Sequence, residues 1–208
     1  MLYRRLVHEF PEQLYSPGSH DESFPEWLDR LRGGKELVLE IGCGTGDFLC
    51  SQALKHPELF FLGLEMKPDR AYKGYHKANE LGLQNIAFFQ TEAIRIPEFH
   101  FPRVKKIYLF FSDPWPKKRH MIRRLTSELY LPMYEELLEK DGQLIVKTDN
   151  QKLFEYSIMS LKSRHWKILE QDHHFVTPAD EQTQYEKRFL SEQKPIFYLR
   201  ATHPSGKD

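Results

Sequence analysis

Short apolar segments alternate with longer segments of mixed polarity along most of the 208-residue chain. The apolar segments predict strands at 37–41, 59–64, 86–89, 106–111, 144–147, 166–170 and 196–200. The segments between them predict helices at 47–56, 68–81, 126–139 and 153–161. A capping-box pattern, Ser23-Phe-Pro-Glu26, predicts a shorter helix that ends at Gly33-Gly34.

This alternation indicates the fold class. Continuous apolar strands joined by helical crossovers are typical of a parallel sheet with helices on both faces, which predicts an α/β fold. Residues 1–34 are expected to form an N-terminal arm, broken by Pro11, Pro17 and Gly18, followed by the short helix. Residues 35–208 are expected to form a single domain, since no repeat or linker divides them. Ligands of such a sheet bind beyond the carboxyl ends of its strands.

The composition suits a folded globular protein, with 40% hydrophobic and 13% aromatic residues. No apolar run approaches the ~20 residues that span a bilayer. The segment from Met1 to Phe10 lacks the apolar core of a signal peptide. Cys43 and Cys50 are expected to be free thiols, which fits a reducing compartment. These features predict a cytoplasmic protein without a membrane span.

Basic residues cluster in one segment although the net charge is zero. Eight lysines and arginines and a single acid, Asp113, lie between Arg103 and Arg124. Such clustering can create a phosphate-binding face on a neutral protein, and a solvated run of charges is the alternative.

The first predicted strand of the alternating region leads into a glycine loop, Glu40-Ile-Gly42-Cys-Gly44-Thr-Gly46-Asp47. Glycines permit a tight turn and close approach of a ligand, but similar spacing also occurs in dinucleotide-binding loops. Two carboxylates would repel a pyrophosphate and attract an ammonium and a sulfonium. S-adenosylmethionine carries both cations and no phosphate, so the loop predicts a site for this cofactor.

Acids also follow the next two predicted strands. Glu65 is placed to bind the ribose hydroxyls, and Glu92, after Thr91, to reach the adenine edge. Exposed loop acids are the alternative interpretation of both.

The strand at 106–111 is followed by Ser112-Asp113-Pro-Trp115-Pro-Lys117-Lys-Arg119-His120. The prolines fix the backbone and hold Asp113 at the strand end, beside the cofactor. Trp115 offers a surface on which an RNA base can stack, with core packing as the alternative. Arg123 and Arg124 extend the basic segment that could contact phosphates.

Two later segments could complete the site by hydrogen bonding to a nucleobase. They are Thr148-Asp149 and Thr183-Gln184-Tyr185-Glu186, although the second would also fit an ordinary polar loop. His173-His174 does not predict a metal site, because adjacent histidines on an extended segment face opposite ways and no third ligand has recognisable spacing.

Together these motifs resemble the bacterial tRNA (guanine-N7-)-methyltransferase family from Leu37 to Phe189, most specifically in the segment 112–120 and in Thr183 to Glu186. The resemblance implies a class I S-adenosylmethionine-dependent methyltransferase, with a Rossmann-like, mostly parallel sheet of seven strands. It implies methylation of N7 of the guanosine at position 46 in the variable loop of tRNA. The residues that it assigns to the cofactor are Glu40, Gly42, Gly44, Gly46, Glu65, Glu92 and Asp113. Those that it assigns to the substrate are Lys117, Asp149, Thr183, Gln184, Tyr185 and Glu186, with Arg119, His120, Arg123 and Arg124 contacting RNA.

Guanine N7 carries a free lone pair and no proton, so its attack on a methyl donor needs no general base. We therefore expect Asp113 to be the catalytic residue, orienting the guanine and stabilising its developing positive charge. Asp149 and Glu186 are expected to bind the N1–H and amine edge of the base. The alternatives are methylation of an exocyclic base amine, a non-catalytic RNA-binding module, and a nicotinamide oxidoreductase. The sequence leaves open whether the protein is a monomer or a homodimer.

Overall fold

A central sheet carries the fold in this computed structural model, which describes residues 11–178 and 182–203. Within these residues the strands are β1 (Leu14–Tyr15), β2 (Glu36–Ile41), β3 (Leu59–Glu65), β4 (Ile86–Gln90), β5 (Val104–Phe110), β6 (Leu138–Thr148), β7 (Lys167–Asp172) and β8 (Phe197–Thr202). Their order across the sheet is β1-β4-β3-β2-β5-β6-β8-β7. Strand β8 is antiparallel to β6 and β7, and the remaining neighbours are parallel.

Helices cover both faces of the sheet, as predicted. They are α1 (Phe24–Arg32), α2 (Asp47–Lys55), α3 (Pro68–Glu80), α4 (Leu131–Leu137), α5 (Gln151–Ser163) and α6 (Gln184–Ser191), with 3₁₀ segments at Ala93–Phe99 and Lys118–Arg123. Buried residues of α1, α4 and α5 form one core with the sheet, and those of α2 and α3 form a second core on the other face. In α1, the Glu26 carboxylate accepts hydrogen bonds from the N–H and hydroxyl of Ser23, and Gly33 ends the helix in the left-handed region.

The helix predicted at 126–139 is much shorter in the structure. Residues 124–130 form successive turns, in which the N–H of Ser127 donates to the carbonyl of Arg124 at 2.9 Å. Helix α4 starts only at Leu131, because Pro132 is accepted within a first helical turn and not further along. From Leu138 the chain is extended, and the predicted stop at Asp141-Gly142 lies inside β6.

The expectation of seven strands is wrong by one strand. The arm before α1 contributes β1, whose two residues pair with Phe88 and Phe89 at the edge of the sheet. Tyr15 of β1 packs against Trp27 of α1, so arm and short helix share the main core. The division of the chain after residue 34 stays a prediction.

The segment from Thr183 to Glu186, for which an ordinary polar loop was the alternative interpretation, forms the start of helix α6. Thr183 and Glu186 form a reciprocal capping box, in which the Thr183 hydroxyl accepts from the N–H of Glu186 at 3.0 Å. The spacing Thr-x-x-Glu is itself a helix-start signal, so the sequence contained the information. None of the helices in the described part of the chain is long and apolar enough to cross a bilayer.

Candidate active site

The glycine loop after β2 makes a sharp turn and opens α2. Gly42, Gly44 and Gly46 have φ values of 82°, 58° and 70°, in the left-handed region that favours glycine. A Cβ on Gly46 would lie 2.8 Å from the ring of Phe88, so Gly46 packs closely on β4. Gly42 and Gly44 instead face open space, which leaves their backbone accessible to a ligand.

Glu65 holds this loop in place from the end of β3. One of its carboxylate oxygens accepts a hydrogen bond from the N–H of Gly44 at 3.0 Å, and the other accepts one from the N–H of Lys67 at 2.9 Å. The expected contact with ribose therefore competes with a role in shaping the loop, although each oxygen has a second lone pair.

A cavity of about 150 Å³ lies over the loop. It joins four parts of the chain that are far apart in sequence: the glycine loop with the start of α2, Arg70 of α3, the end of β5 and the start of α6. Its lining residues include Glu40, Gly42, Gly44, Asp47, Asp113, Thr183 and Tyr185. The lining does not include Gly46, Glu65, Glu92, Lys117, Asp149 or Glu186, which were also expected at the site.

Glu40 is the buried acid of this cavity, with 3% of its surface exposed. Burial raises the pKa of its carboxyl to about 8, opposed in part by the Lys147 ammonium and assisted by the nearby Asp47 carboxylate. Its Oε2 atom has no hydrogen-bond partner among the described residues. An unpartnered buried carboxyl beside accessible loop backbone fits the ammonium group of S-adenosylmethionine.

Asp47, the second acid of the loop, is already engaged. Its carboxylate pairs with the ammonium of Lys77 on α3 and accepts a hydrogen bond from the Thr45 hydroxyl at 2.7 Å. The attraction for a cation that the sequence assigned equally to Glu40 and Asp47 therefore rests mainly on Glu40.

Asp113 lies at the mouth of the cavity, exposed and without a hydrogen-bond partner in the described residues. The backbone on either side is strained, since Phe111 and Trp115 have φ values of 50° and 40°. Two contacts hold this turn. The N–H of Phe111 donates to the Lys147 carbonyl at 2.8 Å, and the Arg124 Nε–H donates to the Pro114 carbonyl at 2.9 Å.

Arg124 thus differs from the rest of the basic segment. It is 5% exposed, and its guanidinium lies over the ring of Tyr156 with the carbon 4.4 Å from the ring centroid. The expected RNA contact does not fit this burial, and the side chain instead braces the Asp113 turn. Lys117, Arg119 and Arg123 are exposed, and His120 is half-buried.

Trp115 is partly exposed and does not belong to either core. The guanidinium of Arg123 lies over its ring at 5.1 Å, and the ring of His120 meets it edge-on at 5.8 Å. These neighbours keep the indole at the surface, beside Asp113 in sequence. The placement agrees with the stacking interpretation and not with core packing.

A buried polar network that the sequence analysis missed lies beneath α6. The ammonium of Lys147, on β6, donates to Oε1 of Glu186 at 3.0 Å and to the hydroxyl of Thr177 at 2.9 Å. The N–H of Thr183 donates to Oε2 of the same glutamate at 2.8 Å. Glu186 is fully buried, so the expectation that it binds the base edge is wrong for this arrangement.

Tyr185 is the exposed member of the Thr183–Glu186 segment, with 47% of its surface accessible. Its ring stacks on Phe111 with 6.1 Å between centroids and lines the cavity opposite the glycine loop. Asp149 is half-buried at the end of β6, and Glu92 is exposed after β4. For Gln184 the structure describes the backbone alone, as the first residue of α6.

His173 packs edge-on against Phe154 and Phe197, at 5.1 and 5.7 Å. In residues 11–178 and 182–203, no three potential metal ligands come together. Both cysteines are buried free thiols, as predicted.

Comparison with known proteins identifies the family. The family described as "Putative methyltransferase" matches residues 34–199. The tRNA (guanine-N(7)-)-methyltransferase of Mycoplasmopsis agalactiae is 42% identical over 170 residues, covering 80% of this chain and 83% of the relative. That of Staphylococcus epidermidis is 35% identical over 195 residues, covering 92% and 89%. The chain belongs to the tRNA (guanine-N(7)-)-methyltransferase family.

Solved structures of lower identity support the fold of this methyltransferase. The 16S rRNA methyltransferase KamB superposes with a TM-score of 0.69 at 18% identity, covering 88% of this chain and 94% of that one. A variant of the 16S rRNA (adenine(1408)-N(1))-methyltransferase of Catenulisporales acidiphilia, solved with its cosubstrate SAM, gives 0.65 at 14% identity, covering 91% and 95%. The predicted class I methyltransferase fold is confirmed.

Proposed function

We propose that this chain transfers a methyl group from S-adenosylmethionine to N7 of guanosine in tRNA. The observation that carries the proposal is the cavity in which the Glu40 carboxyl, the open backbone of Gly42 and Gly44, and the Asp113 carboxylate face one space. The choice of acceptor is supported by relatives at 34–42% identity over most of the chain, which are named tRNA (guanine-N(7)-)-methyltransferases.

The loop side of the cavity holds the donor. Glu40 ionises toward the donor's ammonium, Gly42 and Gly44 give it backbone contact, and Glu65 keeps their loop in shape. S-adenosylmethionine supplies an electrophilic methyl group on its sulfonium when it is bound. Glu92, exposed after β4, remains a proposed adenine contact.

The opposite side of the cavity holds the base. Asp113 faces the purine, orients it, and stabilises the positive charge that grows on the ring as N7 is methylated. Tyr185 and Trp115 offer flat surfaces for stacking. Asp149 and Lys117 remain proposed substrate contacts just outside the cavity. We also propose phosphate contacts for Arg119, His120 and Arg123. No base is required, because N7 carries no proton.

The test is transfer of a labelled methyl group into unmodified tRNA, followed by nucleoside analysis of a digest. We expect N7-methylguanosine, at position 46 of the variable loop. A product methylated on an exocyclic amine would replace the proposal with the alternative base chemistry. Calorimetry with S-adenosylhomocysteine and with NAD checks the donor site, and binding of NAD alone would contradict it. We infer a cytoplasmic enzyme, as expected for a tRNA substrate.

A further inference from the structure

A groove of about 290 Å³ runs along one face of strands β5, β6 and β8, on the side of α2. The strand register places Lys106 beside Gln143 and Tyr108 beside Ile145, and Ile145 in turn lies beside Arg200 on β8. Alternate residues of these strands point to the other face, where α5 covers them. The groove side is polar and only partly covered, which is unusual for the middle of a sheet of this class.

The groove contains an uncompensated positive charge. Lys106 is half-buried and makes no ion pair with any residue in the described ranges. Burial lowers the pKa of its ammonium, and the adjacent cations Lys105 and Arg200 lower it further. Arg200 is balanced on one side by Glu170 at 3.0 Å. An anion between Lys106 and Arg200 would relieve the repulsion.

Its other surfaces suit a nucleobase. The ring of Tyr198 stacks on Phe175 with centroids 4.2 Å apart and an interplanar angle of 12°. Tyr108 adds a second ring to the lining. Gln52 of α2 is 8% exposed and lines the groove, and its Nε2 group has no hydrogen-bond partner among the described residues. Free donors beside flat rings are what an RNA strand needs from a protein.

We propose that this groove binds a phosphate and neighbouring base of the tRNA, in a single-stranded stretch next to the methylated guanosine. The inference rests on the proposed function, which supplies tRNA as the partner. Phe48 and Phe110 line both the groove and the active-site cavity, so the two spaces are adjacent. Neighbouring strands lie about 4.8 Å apart, so three span roughly 10 Å, the width of a single nucleic-acid strand and not of a duplex.

A second copy of the chain is the rival occupant. A stable protein interface buries about 800 Å² per partner and carries few charges at its centre. Lys106, Arg200 and Glu170 all line this groove, and Lys106 has no ion pair among the described residues. The charge therefore favours RNA over a protein surface.

The experiment measures binding of unmodified tRNA by Lys106→Gln and by the matched control Lys105→Gln. Lys105 is adjacent on β5, but its ammonium pairs with Glu36 at 2.5 Å and does not line the groove. Loss of one phosphate contact lowers the log–log salt slope by ~0.7–0.9, which is about a five- to eight-fold weaker affinity at 0.1 M salt. We expect this for Lys106→Gln and not for Lys105→Gln, while Lys106→Arg keeps wild-type affinity.

Further readouts separate the possible failures. With 4-thiouridine-labelled tRNA, we expect photocrosslinks to peptides containing 104–110 and 197–202. If Lys106→Gln binds tRNA like wild type and these crosslinks are missing, the groove is not an RNA site. If Lys106→Gln instead alters the sedimentation of the free protein, the groove is a contact between copies. If the wild-type enzyme itself neither binds nor methylates tRNA, the proposed function fails, independently of the groove.

Discussion

At the scale of single residues, three acids around one cavity have different electrostatic environments. Glu40 is buried with a raised pKa, Asp47 is paired with Lys77, and Asp113 is exposed and unpaired among the described residues. The same chemical group therefore suits different tasks. A neutral buried acid such as Glu40 can ionise when a cation arrives, whereas the exposed carboxyl of Asp113 is open to the substrate.

Glu40 should release a proton when the cofactor binds. At pH 7 its carboxyl is mostly protonated in the empty site, because its pKa is about 8. The ammonium of the ligand favours the ionised form. Calorimetry with S-adenosylhomocysteine in buffers of different ionisation enthalpy should show release of about one proton per site. Glu40→Gln should bind more weakly and release none, and a buffer-independent enthalpy for wild type would contradict the role.

Asp113→Asn tests the chemical step. Asparagine keeps the size and hydrogen-bonding capacity and removes the charge. Loss of one preorganised electrostatic partner typically costs ~10²–10³ in turnover, so we expect that fall in the single-turnover rate. Binding of tRNA and cofactor should change less, and raising the pH should not restore the rate, because no base is replaced. If the variant kept a normal single-turnover rate but bound the cofactor poorly, Asp113 would be a cofactor-binding residue and not a catalytic one.

Two neighbouring arginines should give opposite results. Arg123→Ala should weaken tRNA binding and lower its log–log salt slope by ~0.7–0.9, with little change in thermal stability. Arg124→Ala should cost about 1–3 kcal/mol of stability, because it leaves the half-buried Pro114 carbonyl without this donor and exposes the strained turn. Urea unfolding and salt-dependent tRNA binding distinguish the two. If both substitutions lowered the salt slope of tRNA binding equally, Arg124 would be an RNA contact after all.

At the scale of elements, the position of α6 decides the shape of the cavity. The helix places Tyr185 opposite the glycine loop, and its start is fixed by the buried contact between Lys147 and Glu186. A helix of eight residues is too short to be stable alone, so its position depends on such tertiary contacts.

A double-mutant cycle tests this arrangement. Lys147→Met leaves the Glu186 carboxylate buried without its cation and should cost about 3–5 kcal/mol of unfolding free energy. Adding Glu186→Gln should restore part of that loss, since the remaining pair is neutral. The single variant should also raise KM for tRNA more than it lowers kcat at saturating tRNA. Strictly additive losses would show that the two residues act independently.

At the scale of the whole molecule, the buried acid links stability to pH. An acid whose pKa rises from 4.5 to about 8 on folding binds protons more tightly in the native state. The unfolded state ionises first, so Glu40 makes stability fall as pH rises from about 4.5 to 8, and the effect levels off above that. Urea unfolding of the cofactor-free protein at pH 5 and pH 8 should show a smaller decline for Glu40→Gln than for wild type. An equal decline in both proteins would rule out Glu40 as the cause.

The sequence by itself determined the order of the strands and of the helices other than α6, and it predicted which strand ends form the site. Apolar runs identified every strand except β1, because two residues carry no periodicity and β1 forms only by pairing with β4. The glycine loop and Asp113 were predicted to share a site because each follows directly from a strand end, where parallel sheets place their ligands, and both line one cavity in the structure.

Only the tertiary structure decided which polar groups are available. Arg123 and Arg124 are neighbours with the same chemistry, and the fold exposes one and buries the other. The sequence predicts Glu186 as a substrate contact, but its carboxylate accepts a hydrogen bond from Lys147, which is 39 residues away in the chain. Availability depends on burial and on distant partners, and neither is encoded in a local pattern. The same reason hides the surroundings of Lys106, which are defined only when β5, β6 and β8 lie side by side and which give it no ion pair among the described residues.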